Sequence, residues 1–422
     1  MKNKHASRFT ILIIFLWVVG PIFSLTGRAF CAELIAKFTL ITDRPVAENT
    51  PVMVLLDTLP DSVVRLERID GAKRAVIPIQ IESGYPTRLW WILPVALKEG
   101  EKQYYEMVRG EVAEASLVQI TMSDKSLELG QHNTNALCYN YAAMPPPADQ
   151  DSLYTRSGFI HPIWTPDGKI LTRIHPSDHI HHMGFWHPWT HTEFEGHPVD
   201  FWNLNKGEGT VRFVKFNSTT TGPVFGGFEA FQEHVDLKAQ QGEKVVLNEK
   251  LVIRLWTQSG AGQSYWMWDF ATNQLCATQS PLKLLKYRYG GFGFRGTSDW
   301  DEKNSEYLTS EGKTRKDGNG TRARWCMAYG STDKGPAGVL ILSHTDNYMH
   351  PEPMRIWPQG DIFFGFCPVV YEDWTLETGH HYLRRYRLIV YDGTMTSETA
   401  EQFWQSYVNP PKVEVQWIIK GE

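Results

Sequence analysis

Apolar and polar positions alternate on a short scale from Leu34 to about Gly110. Apolar runs at 36–41, 52–56, 63–69, 75–81, 88–93 and 104–108 are separated by Asp-Arg-Pro, Pro-Asp-Ser, Asp-Gly and Lys-Glu-Gly. Runs this short between turn formers predict strands joined by tight turns, so residues 35–118 are expected to form a small N-terminal β-sandwich. The stretch from Tyr139 to Asp151 holds Pro145-Pro146-Pro147 and reads as a loop. Strand signals then resume at 211–216, 244–256, 337–343, 362–371 and 382–391, and run 244–256 alternates with period two. Period two places alternate side chains on one buried face. With so little helical pattern, residues 119–422 are expected to form a large antiparallel double-sheet sandwich, and the chain to be all-β. One helix is expected: Ala400, Phe403, Trp404 and Tyr407 fall at i, i+3, i+4 and i+7 behind Thr396-Ser397, and Pro410-Pro411 ends it. A last strand is expected at 413–419. No fixed-period repeat supports a propeller or solenoid.

The start of the chain adds a different signal. Lys2, Lys4 and Arg8 precede an almost wholly apolar stretch from Phe9 to Leu25, broken at Gly20-Pro21. This is the charged-then-apolar layout of a secretory signal, with cleavage near Ala29-Phe30-Cys31, so residues 1–31 are expected to be removed and the protein to be periplasmic or cell-surface. A retained anchor is the alternative, but the stretch is short and Pro-broken for a spanning helix, and no later segment is long and apolar enough for one. The formal net charge is −5. Loss of the basic leader makes the remainder more acidic, and without a basic run it is unsuited to nucleic acid. Cys138, Cys276, Cys326 and Cys367 stand singly. They suit one or two disulfides outside the cytosol, or buried thiols, but not a cysteine-built zinc site.

Chemistry concentrates in one place. Eight of the 15 histidines are His161, His175, His179, His181, His182, His187, His191 and His197, interspersed with Asp178, Glu193, Glu195 and Asp200. Thr165-Pro166-Asp167-Gly168 is a type I turn signal, predicting a hairpin of 158–164 with 169–174. The next segment is then a loop, and extended backbone there would put His179 and His181 on one face and His182 on the other. One reading makes a His and a carboxylate an acid–base pair, because imidazole titrates near neutrality. A second makes His179, His181 and His182 ligands of a divalent copper, zinc or iron ion. In a third, the histidines only hydrogen-bond the backbone of an irregular loop. That suffices for any single one, but eight together point to at least one with a chemical role.

The chain holds 16 tryptophans, with Trp164, Trp186, Trp189 and Trp202 among these histidines. Indole faces stack on the C–H faces of sugars while polar neighbours take the hydroxyls, although core burial is the commoner fate of one Trp. Tyr287-Arg288-Tyr289-Gly290-Gly291-Phe292-Gly293-Phe294-Arg295-Gly296 mixes aromatic, basic and glycine residues, and its glycines admit close backbone approach. His344-Thr345-Asp346-Asn347 and His350 to Arg355 form a later polar loop. Arg288, Arg295 and Arg355 suit a uronate or sulfate, or alternatively a structural carboxylate.

Several of these segments together resemble a known family. Tyr139-Asn140-Tyr141, Phe159-Ile160-His161-Pro162, Thr165-Pro166-Asp167-Gly168, Asp178 to Gly184 and Val199-Asp200-Phe201-Trp202 are similar to the bacterial exported methane oxygenase PmoA-like family. The resemblance covers roughly residues 125–395 and departs from the family pattern at Ile180 and Met183. It implies a galactose-mutarotase-like (super)sandwich, a fold recurrent in glycan-degrading enzymes, although fold alone does not assign function.

The expectation is an exported carbohydrate-active enzyme, hydrolase- or lyase-like, acting on an oligosaccharide or polysaccharide that can be anionic. His179 or His182 would be the acid–base group and Asp178 its partner, with His161 and His344 on the cleft wall. Arg156, Arg288 and Arg355 would meet a substrate anion, Trp186 and Trp202 would stack, and Tyr139 would line the site. No cofactor is expected outside the metal reading. The alternatives are a metal-dependent oxidoreductase or hydrolase and a non-catalytic glycan-binding protein.

Overall fold

The computed structural model describes residues 33–56, 63–84, 86–111, 117–258 and 264–418. The expected leader at 1–31 lies outside them. Among the described residues no helix is long and apolar enough to cross a membrane.

The N-terminal module is two facing sheets. Leu34–Ile41, Lys102–Arg109, Val64–Asp70 and Lys73–Ile77 lie side by side, and Pro51–Leu56, Thr87–Ile92 and Ile79–Glu82 form the second sheet. Alternate residues Phe38, Leu40, Val52, Leu66, Leu89, Trp91 and Met107 meet between them as one core. The expected run 75–81 is split, because Pro78 interrupts the ladder and the chain changes sheets there. The final strand, Lys412–Trp417, corrects the sequence-based assignment to the large sandwich. It pairs with Leu34–Ile41, Val415 opposite Phe38, and packs on the N-terminal core through half-buried Val413, Val415 and Trp417.

The rest is a large sandwich. Its eight-stranded sheet is built on Gly209–Thr220, Phe225–Asp236, Lys244–Trp256, Tyr265–Cys276, Tyr382–Asp392 and Gly335–Ser343, all antiparallel neighbours in that order. The nine-stranded sheet faces it and includes Thr134–Asn140, Phe159–Ile163, Phe185–Trp186, Phe292–Arg295, Phe363–Phe366 and Glu352–Ile356. Ile253, Leu255, Trp268, Phe270 and Leu388 of the first meet Ile160, Phe185, Phe292, Phe294 and Phe364 of the second in a continuous core. The expected hairpin closes near its turn, where Gly168 N–H donates to Thr165 O and Thr165 N–H to Lys169 O, both at 2.9 Å, and Leu171 N–H to Ile163 O at 3.1 Å. Farther along, Phe185–Trp186 takes the open edge of Phe159–Ile163 at Ile160. The one helix is Ser397–Val408; Thr399 N–H donates to the Thr396 hydroxyl, as its cap position requires. Cys138, Cys276, Cys326 and Cys367 are all buried free thiols.

A chain of buried polar groups crosses the eight-stranded sheet and its surroundings. His234 Nε2 donates to Glu249 at 2.7 Å, Glu249 lies 3.6 Å from His187 Nδ1, and Arg384 donates to His187 Nε2 at 2.8 Å. Arg384 also donates to Glu352 at 2.8 Å, whose other oxygen accepts from Ser343 and Asn347. An arginine cannot accept, so His187 Nε2 carries no proton and the ring is neutral. Burial accordingly pushes His187 down to about 4, against an opposing pull from Glu249. In the unfolded chain a histidine titrates near 6.5.

Two outcomes are expected. Leu388, wholly buried between Trp268 and Ile341 on neighbouring strands, should lower the unfolding free energy by about 2–5 kcal/mol when replaced in Leu388→Ala, read from urea midpoints. The unfolded state binds a proton at residue 187 that the native state rejects, so this contribution is complete above pH about 6.5 and is lost as pH falls towards 4. The thermal midpoint should therefore fall over that window, and less steeply in His187→Gln; parallel curves would refute the assignment.

Candidate functional site

The candidate site lies on the outer face of the nine-stranded sheet. Strand alternation decides this: Phe185, Phe292, Phe294, Phe364 and Phe366 point into the core, so Trp186, Gly293, Arg295, Phe363 and Gly365 point away from it. A Cβ at Gly293 would sit 2.7 Å from Trp202, so only glycine lets that indole lie on the strand. Trp186, Trp202, Phe363, Phe159 and Met183 form a small outer cluster.

The histidine loop is hinged to this cluster. Gly184 has φ +71° and no room for a Cβ, which would meet Ile160 O at 2.4 Å. Two successive turns, His179 N–H to Pro176 O at 3.0 Å and His182 N–H to His179 O at 2.9 Å, curl residues 176–182. The extended alternation expected from sequence is thereby replaced. The rings of His179 and His182 stack at 4.8 Å, and His181 stands edge-on to both at 5.6 and 4.7 Å.

Asp178 is the anchor of the loop. Its two oxygens accept from Arg295 Nη2 at 2.8 and 2.7 Å, and the same nitrogen donates to Asp361 at 2.8 Å. Arg173 also donates to Asp361. Arg295 is wholly buried, its guanidinium 4.7 Å above the Trp357 ring. Partial burial raises the Asp178 carboxyl, but the hydrogen bonds and charge of Arg295, then of His179, hold it below the usual carboxylate range. Asp178 is thus an anion at neutral pH. It hydrogen-bonds His179 Nδ1 at 3.1 Å, and among the described residues His179 Nε2 has no hydrogen-bond partner. His181 and His182 behave differently: burial first, then neighbouring cationic groups, pushes His181 down to about 3 and His182 well below its ordinary value.

His179, His181 and His182 form one wall of a cleft of about 170 Å³, completed by Thr190, Trp202, Asn203, Tyr287, Arg288 and Tyr289. Asp200 sets one side of it. Its Oδ1 accepts from the backbone N–H groups of Trp202 and Asn203 at 2.8 and 2.9 Å, and its Oδ2 accepts from Asn203 Nδ2 at 2.6 Å. Arg156, 2% exposed, sits behind the cleft and donates to the carbonyls of Phe201 and Trp202 at 2.9 and 3.3 Å. It therefore positions backbone instead of meeting a substrate.

Of the residues chosen from sequence, Asp178, His179, His181, His182, Trp202 and Arg288 come together, with Arg355 beside them. Arg355 donates to Tyr289 OH at 3.2 Å and to Asn319 at 2.8 Å. Three other choices, and the stacking role given to Trp202, are corrected. Tyr139 is wholly buried in the core, where its hydroxyl accepts from Gln232. Trp186 and Trp202 are each 2% exposed and have no free face for stacking; half-buried Tyr287 and Tyr289 supply the accessible aromatic surface instead. His161 does not line the cleft: it hydrogen-bonds the Thr172 hydroxyl at 2.9 Å, and burial pushes it down to about 4.

His344 follows Gly335–Ser343 of the other sheet and opens to the opposite side of the sandwich. There it joins a cleft of about 390 Å³ with Trp90, Trp256, Arg254, Arg387 and Tyr407. The guanidiniums in that cleft are paired: Arg387 with Asp269, Arg254 with Glu82, Arg385 with Asp346.

The remaining clustered histidines disperse as well. His175 donates to Ile180 O at 2.8 Å, His197 pairs with Asp236 at 2.7 Å, and His191 packs on Tyr287. As for metal binding, stacked rings aim their in-plane lone pairs along parallel planes, so His179 and His182 do not converge on a common point. Among the described residues no group of three His, Cys, Asp or Glu side chains is arranged to hold a metal ion. Asn203, Thr190 and Trp357 had no sequence signal of their own, since each reaches the site from a separate loop.

Solved structures similar to this chain include an α-mannosidase from Enterococcus faecalis V583, at 11% identity and TM-score 0.46, covering 92% of this chain and 46% of the mannosidase. A heparan sulfate lyase, HepC from Pedobacter heparinus, matches at 8% identity and TM-score 0.30, over 67% of this chain and 36% of the lyase. The chain thus spans less than half the length of either. A galactose mutarotase related enzyme from Lactobacillus acidophilus matches at 8% identity and TM-score 0.28 over 66% of this chain and 98% of that one. Comparison with curated protein sequences gives no match. The resemblance to the methane oxygenase PmoA-like family is overturned, because the family whose profile matches residues 126–405 is a different one, of unknown function. The chain belongs to that family, DUF6807.

Proposed function

We propose that the protein is an exported carbohydrate-active enzyme that takes one end or one branch of a glycan into the cleft at His179. The observation that carries this is the Asp178–His179 pair at the mouth of a polar, tyrosine-lined hollow. An ionised carboxylate on Nδ1 holds the imidazole in one tautomer and stabilises positive charge on it, leaving Nε2 to accept and return a proton. Drug-sized pockets run to about 300–1,000 Å³; one of about 170 Å³ suits a single ring better than an extended chain. Tyr287 and Tyr289 offer the aromatic surface that a sugar C–H face needs, and Asn203 and Thr190 offer hydroxyl partners. The charged and then apolar start of the chain supports export.

The test is a screen of the full protein against plant, algal and bacterial glycans with products read by mass, where added water marks hydrolysis and an unsaturated product marks elimination. His179→Gln should lower kcat by about 10²- to 10⁴-fold while saccharide still binds and the thermal midpoint is kept. Asp178→Asn, which removes the anion facing His179, should lower kcat while saccharide still binds. Full turnover in His179→Gln would sink the proposal.

A further inference from the structure

Unpaired charge around the cleft is of one sign. None of its lining residues is acidic; of the carboxylates beside it, Asp178 is engaged by Arg295 and His179, and Asp200 by Trp202, Asn203 and Thr190. Arg288 lies at the mouth, exposed, with its guanidinium 5.5 Å from the Tyr289 ring and 6.0 Å from Tyr287. Among the described residues it has neither a hydrogen-bond partner nor a carboxylate within ion-pair distance. Arg355 approaches Tyr289 at 5.1 Å, and its polar partners are the neutral Asn319, Tyr289 and the Ile356 carbonyl.

Tyr289 is therefore flanked by two permanent cations without acidic partners. In contrast, Arg173, Arg254, Arg295, Arg384 and Arg387 each meet an aspartate or glutamate. Behind the wall, buried Arg156 binds only carbonyl oxygens. His182 Nδ1, also buried, has no hydrogen-bond partner. In a chain of formal net charge −5, a cleft whose lining holds no carboxylate, whose flanking carboxylates are already engaged, and whose rim carries two acid-free guanidiniums is a local reversal of sign.

From this we infer that the sugar ring taken into the cleft carries an anionic substituent, a carboxylate or a sulfate, which Arg288 binds directly while Arg355 holds Tyr289 and adds field. The inference rests on the proposed function and names its substrate class. A guanidinium suits either anion because its planar fork donates two parallel hydrogen bonds. His181 and His182, which burial keeps neutral, would meet ring hydroxyls behind it.

The experiment is calorimetric binding of the full chain to three sets of oligosaccharides: uronate oligomers, sulfated oligomers of a neutral sugar, and the same neutral oligomers unsulfated. At least one anionic set should bind about 10- to 100-fold tighter than the neutral set, weaken as salt rises, and lose that advantage in Arg288→Gln. Arg288→Lys should recover part of it, and the thermal midpoint should stay unchanged in both variants because Arg288 is exposed. Which anionic set binds separates carboxylate from sulfate. Equal binding of neutral and anionic oligomers, indifferent to Arg288→Gln, would overturn the inference and leave the proposed function standing. No binding of any oligosaccharide would overturn both.

Discussion

The buried guanidinium of Arg295 is where the fold and the candidate site depend on each other. It ends a strand of the nine-stranded sheet, lies on Trp357, and gathers Asp178 and Asp361 from two separate loops. A buried cation is tolerated only when it is paired and hydrogen-bonded. The two carboxylates pair its charge through Nη2, and in doing so they pull the histidine loop down onto the sheet; among the described residues its Nε and Nη1 have no hydrogen-bond partner. Burial and the nearby Arg173 lower Arg295 from its ordinary value, and the aspartates oppose that shift. Since Asp178 holds His179, the same contact that anchors the loop also sets the orientation of the candidate acid–base group.

Two faces of one sheet divide the work. Inward residues of the nine-stranded sheet are phenylalanines that build the sandwich core, while outward residues on the same strands are glycine, tryptophan and arginine. The outer face would be a liability if left bare, because it carries Trp186 and Phe363. Trp202, Met183 and the histidine loop cover it, and the cleft is the gap left at the rim of that cover. The opposite side of the sandwich has a larger cleft, but its arginines are already matched with carboxylates, so its chemistry is spent on joining the N-terminal module and the helix to the sheet.

The histidine-rich stretch separates two kinds of cause. His187 belongs to a buried polar chain with Glu249 and Arg384, His197 to an ion pair, and His161 and His175 to hydrogen bonds with neighbouring loop groups. Only His179, His181 and His182 face the cleft. Crowding in sequence therefore reflects several unrelated roles served by one irregular segment, where imidazole supplies both a donor and an acceptor.

Period-two spacing and turn residues were enough to predict an all-β chain, a small sandwich ahead of a large one, and one capped helix, because strand faces and caps are local properties of neighbouring residues. The strand 244–256 and the helix behind Thr396 show this directly, and Asp178 with His179 could be singled out because they are adjacent. Tertiary structure alone decided what depends on distant pairing: the return of Lys412–Trp417 to Leu34–Ile41, the burial of Tyr139, Trp186 and Trp202, and the exile of His344 to the far side of the sandwich. It also decided that Arg295 is paired and Arg288 is not. Local sequence carries periodicity but not which strand a loop will lie across, and a side chain's partner is settled by that crossing.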